Sequence, residues 1–205
     1  MDKKKKGPKI KFNSPVILCF VFLCFLETLA GILTNNQITV KYFMSHRSSL
    51  TSIFTYFRMF SHVIGHQGMS HFCNNALYLL LLGPMLEEKY KSKQIILVIV
   101  FTAAASAIVN AIFFPNVWIC GASGVVFAFI IMSSLTGYKN GEIPLTFLLI
   151  AVIYIGQQVV QGLTIVDDVS NVSHIIGGIV GMILGHVFNK KKKKDDGFIP
   201  VNFKP

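Results

Sequence analysis

Six apolar runs divide this chain and leave it few ways to fold. They cover about 15–33, 70–86, 94–114, 122–137, 143–161 and 171–189, each closed by charge, Gly, Pro or Asn. A helix needs about 20 residues to cross the hydrocarbon of a bilayer, and fewer if it stops short of one surface. The second and fourth runs are short, which leaves room for water above them. With 53% of its residues hydrophobic and 14% charged, the chain has too few polar groups to coat a soluble core. A lipid-exposed backbone must satisfy its own hydrogen bonds, so the expectation is an all-α membrane protein of six transmembrane helices.

The charge distribution orients those helices. Sixteen of the nineteen Lys and Arg residues fall in the N-terminus, the 87–93 turn, the 138–142 turn and the tail, whereas the opposite side holds Lys41, Arg47 and Arg58. Positive residues are retained on the cytoplasmic side, so both termini are expected in the cytoplasm of a cell whose plasma membrane holds this multi-pass protein. The domain reading is a basic N-terminus over 1–14, one membrane domain over 15–189 and a basic tail over 190–205. The net charge of +10 does not indicate nucleic acid, because the basic residues are terminal blocks suited to anionic lipid headgroups. The run 15–33 reads as a span rather than a cleaved leader, being long enough to cross and carrying Glu27 beside the supposed cleavage site. The outer connection 34–69 is rich in Phe, Tyr, Ser and His and is expected to be partly helical and to lie at the interface.

Polar groups inside this framework share one depth. Ser123, within Gly121-Ala122-Ser123-Gly124, and His174 each open a run that starts from the outer side, and His71 and Asn75 lie in the first turns of another. Ionisable groups at membrane depth are costly, which makes them functional candidates. His71 and Asn75 are four apart and project from one helix face, as two donors aimed at an oxyanion must. Ser123 at a helix start adds backbone N–H groups, and Gly121 and Gly124 permit a tight turn. His174, Gly177, Gly181 and Gly185 form a stripe along which a second helix can approach closely, bringing His174 against Ser123 with Phe127 beneath the imidazole. No carboxylate is placed to complete a triad, so a Ser-His dyad is expected. The four cysteines show no ligand spacing and there is no H-E-x-x-H, so no metal or cofactor is expected.

Together these residues resemble the rhomboid intramembrane serine proteases over roughly 54–186. The matches are G-x-S-G at Gly121 to Gly124, H-x-x-G-x-x-x-G from His174, H-x-x-x-N at His71 and Asn75, Phe57-Arg58 at the loop-one Trp-Arg position, His62 and His66, Gly83, and Glu87. The resemblance implies a six-helix rhomboid-like bundle with an interfacial loop between helices 1 and 2. It implies a serine endopeptidase that cleaves single-span transmembrane proteins, with Ser123 as nucleophile, His174 as general base and acid, and His71 and Asn75 as oxyanion donors. Thr102, Ser106 and Asn110 look like the family's water-retaining stripe, and Arg58, His62, His66 and Glu87 are grouped as structural supports of loop one. Three positions depart from the pattern: Phe57 for Trp, Phe127 for Tyr, and Lys91 where Gly is common. Substrate is expected to approach laterally past the fifth run, beside Gly156, Gln157 and Gln158. The competing readings are a catalytically silent relative that binds membrane helices, and a channel or metal carrier. His46 and His186 have no assigned place.

Overall fold

The computed structural model describes residues 12–137, 145, 146, 148–150, 152, 153, 156 and 168–195. Helices account for the regular structure of the described residues: α1 (Pro15–Leu33), α2 (Gln37–Tyr42), α3 (Ile53–Ser61), α4 (Met69–Tyr90), α5 (Ser92–Phe113), α6 (Ser123–Ser134) and α7 (Asp168–Asp195). Among the described residues, three helices are long and apolar enough to cross a membrane: Pro15–Leu33, Ser92–Phe113 and Val172–Lys190. Their outward faces carry Phe22, Leu23, Leu26, Leu97, Phe101, Ile179 and Ile183, all exposed. Such a belt is stable only against lipid. The fifth apolar run is described at 145, 146, 148–150, 152, 153 and 156, all helical. Its remainder, the 138–142 turn, Gln157 and Gln158 lie outside the described residues, and with them most of the fifth crossing and the expected lateral approach past it.

The helices overrun the apolar runs into charged ends. α4 continues through Glu87 to Tyr90, and α7 through its lysines to Asp195. Backbone hydrogen bonds propagate a helix past its last buried residue, and solvated Lys and Glu tolerate that state well. α6 has only 12 residues, about 18 Å at 1.5 Å per residue. It is the most enclosed helix: Val125, Ala128, Phe129 and Met132 are all wholly buried. α7 packs along α6 more extensively than any other described pair of elements.

Two buried carboxylates pin opposite ends of the bundle. Glu87 accepts hydrogen bonds from the Val16 and Ile17 backbone N–H groups at 3.1 and 3.0 Å, and from the Ser92 hydroxyl at 2.7 Å. It therefore caps α1 from α4, where Pro15 at the first position has no N–H and Ser14 makes no side-chain cap. An anion on free N–H groups at a helix start is favourable both as a hydrogen bond and against the helix dipole. This corrects the grouping of Glu87 with loop one: it acts at the other end of the molecule. Loop one, the connection 34–69, is held instead by Glu27, which accepts from the Thr39 hydroxyl at 2.6 Å and the His66 backbone N–H at 2.8 Å.

Lys91 alone separates α4 from α5, at φ 74° and ψ 159°. A side chain in that region is strained by about 1–3 kcal/mol, and glycine is not. Lys91→Gly should therefore stabilise the protein, raising the melting midpoint in detergent by about 2–4 °C per kcal/mol relieved. A lowered midpoint would show that the Lys91 side chain contributes more than its backbone costs.

Candidate active site

The turn before α6 is assembled by loop one. Gly121 has φ 119°, a conformation that favours glycine, and its N–H donates to the His62 carbonyl at 2.8 Å. Space demands glycine here as well, since a Cβ at Gly121 would stand 2.8 Å from the His71 Nε2 and 3.9 Å from the Asn75 Nδ2. The next N–H, of Ala122, donates to the His66 Nε2 at 3.4 Å, while the His66 Nδ1 lies 2.9 Å from the Ile64 carbonyl. Accepting on Nε2 leaves the proton on Nδ1, so His66 is held as one neutral tautomer. His62 Nδ1 lies 3.2 and 3.1 Å from the Arg58 and Met59 carbonyls. These two histidines thus do more than brace loop one: they hold the Gly121-Ala122-Ser123 turn to it.

Burial pushes the His62 imidazole down to about 4, and burial aided by the neighbouring His71 does the same for His66. Both stay neutral in the folded protein at pH values where an unfolded imidazole, near 6.5, takes a proton. The unfolded state then binds more protons, so stability is fully present above pH 6.5 and is lost as pH falls toward 4. The melting midpoint should fall over that window, and His66→Gln should flatten the fall while lowering the midpoint at neutral pH. A slope unchanged by His66→Gln would remove His66 as its source.

Opposite this turn, α7 closes onto α6. A Cβ at Gly177 would strike the Gly124 carbonyl oxygen, and one at Gly181 would strike that of Ala128. The backbones touch at both levels, which is the close approach that small residues allow. The contact carries His174 to the start of α6, where its ring lies over Phe127 with centroids 4.3 Å apart. One cavity of about 620 Å³ is lined by Ser123, His174, His71 and Asn75 together, with Trp118 and Phe127 in its walls. Asn75 donates from Nδ2 to the His71 carbonyl at 3.1 Å, which orients its amide.

The other expected residues divide. Thr102 and Ser106 are buried, their hydroxyls have no hydrogen-bond partner, and they sit behind Gly124 rather than in the cavity wall. Asn110 does not join them, because its Nδ2 donates to the Val117 carbonyl at 2.9 Å and ties the loop before α6 to α5. Arg58 lies within loop one and donates to the Ser48 hydroxyl of the same loop at 3.2 Å. Phe57, in the Trp position, packs edge-on against Phe43 at 6.2 Å. Sequence reasoning left out the wall formed by His46 and Trp118, whose rings stack at 3.6 Å. Beside them Ser45 and Ile119 exchange two 2.9 Å backbone hydrogen bonds. The lone Trp of the chain was the available signal.

The family model described as "Rhomboid domain" matches residues 54–191, more than half of the chain. The chain belongs to the rhomboid family. Among its rhomboid relatives, it is 25% identical over 162 residues to a Caenorhabditis elegans protein named Rhomboid-related protein 1, covering 71% of this chain and 46% of that one. It is 26% identical over 182 residues to a Salmonella typhimurium protein named Rhomboid protease GlpG, covering 88% of this chain and 65% of that one. This rhomboid chain thus spans about half to two thirds of the length of the curated relatives it matches. The family region contains Ser123, His174, His71 and Asn75, whereas Glu27, Met44 of the cavity lining and His46 of the wall lie before it.

Proposed function

We propose that this protein is an intramembrane serine protease that hydrolyses a peptide bond in or near a single-span transmembrane helix. The observation that carries this reading is the convergence of Ser123, His174, His71 and Asn75 on one cavity. The Ser123 hydroxyl oxygen attacks the scissile carbonyl carbon and its proton passes to His174. The oxyanion so formed is stabilised by His71, by the Asn75 amide and by N–H groups of the first turn of α6. Collapse expels the amine, which takes the proton from His174 and leaves an ester on Ser123. Water, deprotonated by His174, then releases the acid and restores the hydroxyl. Phe127 fixes the imidazole by packing, in place of a carboxylate. Thr102 and Ser106, with uncommitted hydroxyls behind Gly124, hold the water that hydrolysis consumes.

A helical substrate hides its carbonyls and must unwind locally before attack, which suits helix-weakening residues near the cleaved bond. The single membrane domain spans 15–189 with six crossings, both termini cytoplasmic, in the plasma membrane, and the basic ends lie against anionic headgroups. Substrate reaches the cavity past the fifth span. A serine-directed fluorophosphonate probe distinguishes this function from a silent helix-binding relative. It should label Ser123 in the reconstituted protein, and labelling should vanish in His174→Ala. Labelling that persists without His174 would overturn the dyad.

A further inference from the structure

A second cavity, of about 490 Å³, opens on the opposite side of the His46–Trp118 wall. Its floor is the lipid-facing end of α5, including Ala107, Ile108, Ala111 and Ile112, and its rim is loop one, with Ser45, His46, Arg47 and Ser48. Ile108 and Ile112 are 46% and 61% exposed, so the floor runs into the apolar belt of the bundle. The rim is cationic: between residues 34 and 69 the charged residues are Lys41, Arg47 and Arg58, with no Asp or Glu. Arg58 reaches the rim through Ser48, and both its Nε and the His46 Nδ1 are buried without a hydrogen-bond partner. An apolar trough with a positive, under-satisfied lip at the membrane boundary matches an amphiphile with a negative head.

We infer that this groove binds one anionic phospholipid of the surrounding leaflet, its phosphate at Arg47 and His46 and an acyl chain along Ala107 to Ile112. The membrane supplies such molecules at the depth where loop one meets α5, and no protein segment described here covers the groove. The lipid has a structural consequence for the larger cavity. His46 stacks on Trp118 and Ser45 pairs with Ile119, so a headgroup that settles His46 steadies the wall beside Ser123.

The test is independent of catalysis. The intact protein in neutral maltoside is offered dioleoyl phosphatidylglycerol or dioleoyl phosphatidylcholine, with native mass spectrometry and the melting midpoint as readouts. One phosphatidylglycerol should be retained in preference to phosphatidylcholine and should raise the midpoint. Arg47 is exposed, so Arg47→Ala should fold normally and lose about fivefold of the phosphatidylglycerol retention, as expected for one basic residue near an anionic surface. Ala111→Phe, which fills the floor, should lose retention of both lipids. Equal retention of the two lipids, or retention untouched by Arg47→Ala, would overturn the inference. So would an equal rise in midpoint with inorganic phosphate alone, or a dimer that Arg47→Ala dissociates with no lipid bound.

Discussion

Ser123→Ala and His174→Ala should each lower cleavage of a single-span substrate in proteoliposomes by roughly 10³-fold or more, and the double variant should be no worse than either. In the proposed mechanism the two side chains act as one device. Without the hydroxyl there is nothing to acylate, and without the imidazole nothing removes its proton or protonates the departing amine. What survives is the cavity with its donors, which stabilises an oxyanion that forms only when water attacks unaided. Asn75→Ala should be milder, at about 10²–10³-fold, because one of several oxyanion donors is lost. Cleavage that persists in Ser123→Ala, or a His174→Ala loss of only a few-fold, would sink the proposed mechanism. Strictly additive losses would show two independent contributions instead of a dyad.

Gly177→Ala should be as damaging as a change inside the cavity, although Gly177 is not among the residues that line it. The added carbon would meet the Gly124 carbonyl oxygen, with the Gly124 carbonyl carbon at 2.7 Å and Cα at 2.9 Å. Both partners are backbone, so no side chain can rotate aside and the helices must part. Overpacking of this kind costs about 1–3 kcal/mol. Parting them also draws His174, one turn above, away from Ser123, and a misplacement of about 1 Å can cost about 10²-fold in rate. Gly181→Ala should behave alike, since it meets the Ala128 Cα at 2.6 Å. Gly185→Ala is the control. Its new carbon would meet the Leu135 Cδ1 at 3.1 Å and the Met132 Cγ at 3.3 Å, both on side chains that can yield. Midpoint and cleavage should therefore fall sharply for the first two variants and little for the third. Equally small effects at all three positions would show that the stripe tolerates added volume and would overturn the backbone-contact argument.

The wall that carries Trp118 illustrates how far the chain can be read without coordinates. Hydropathy located α1 and α5 closely and marked α6 as short, because in lipid a helix is the default for any long apolar run. The stripe of Gly177, Gly181 and Gly185 announced a close helix contact, and its spacing to His174 made that contact meaningful. The role of Asn110 was misread, because residues four apart share a helix face but not a partner: its amide found the Val117 carbonyl. Glu87 was misplaced for a similar reason. A carboxylate at a helix end carries no sequence mark of whose N–H groups it will cap, and here they belong to a helix seventy residues away.

Hydrophobicity and small-residue spacing, properties that act locally along the chain, determined that this protein is helical and membrane-embedded with a serine at a helix start, whereas the histidine expected to open its helix is the seventh residue of α7. Tertiary packing decided which long-range contacts complete it: hydrogen bonds from the turn before Ser123 to His62 and His66, a hydrogen bond from loop one to Glu27, and the stack of His46 on Trp118. Those partners lie 39 to 72 residues apart. Such a contact depends on where two backbones come to rest in space, and that is settled only when every helix has found its neighbours.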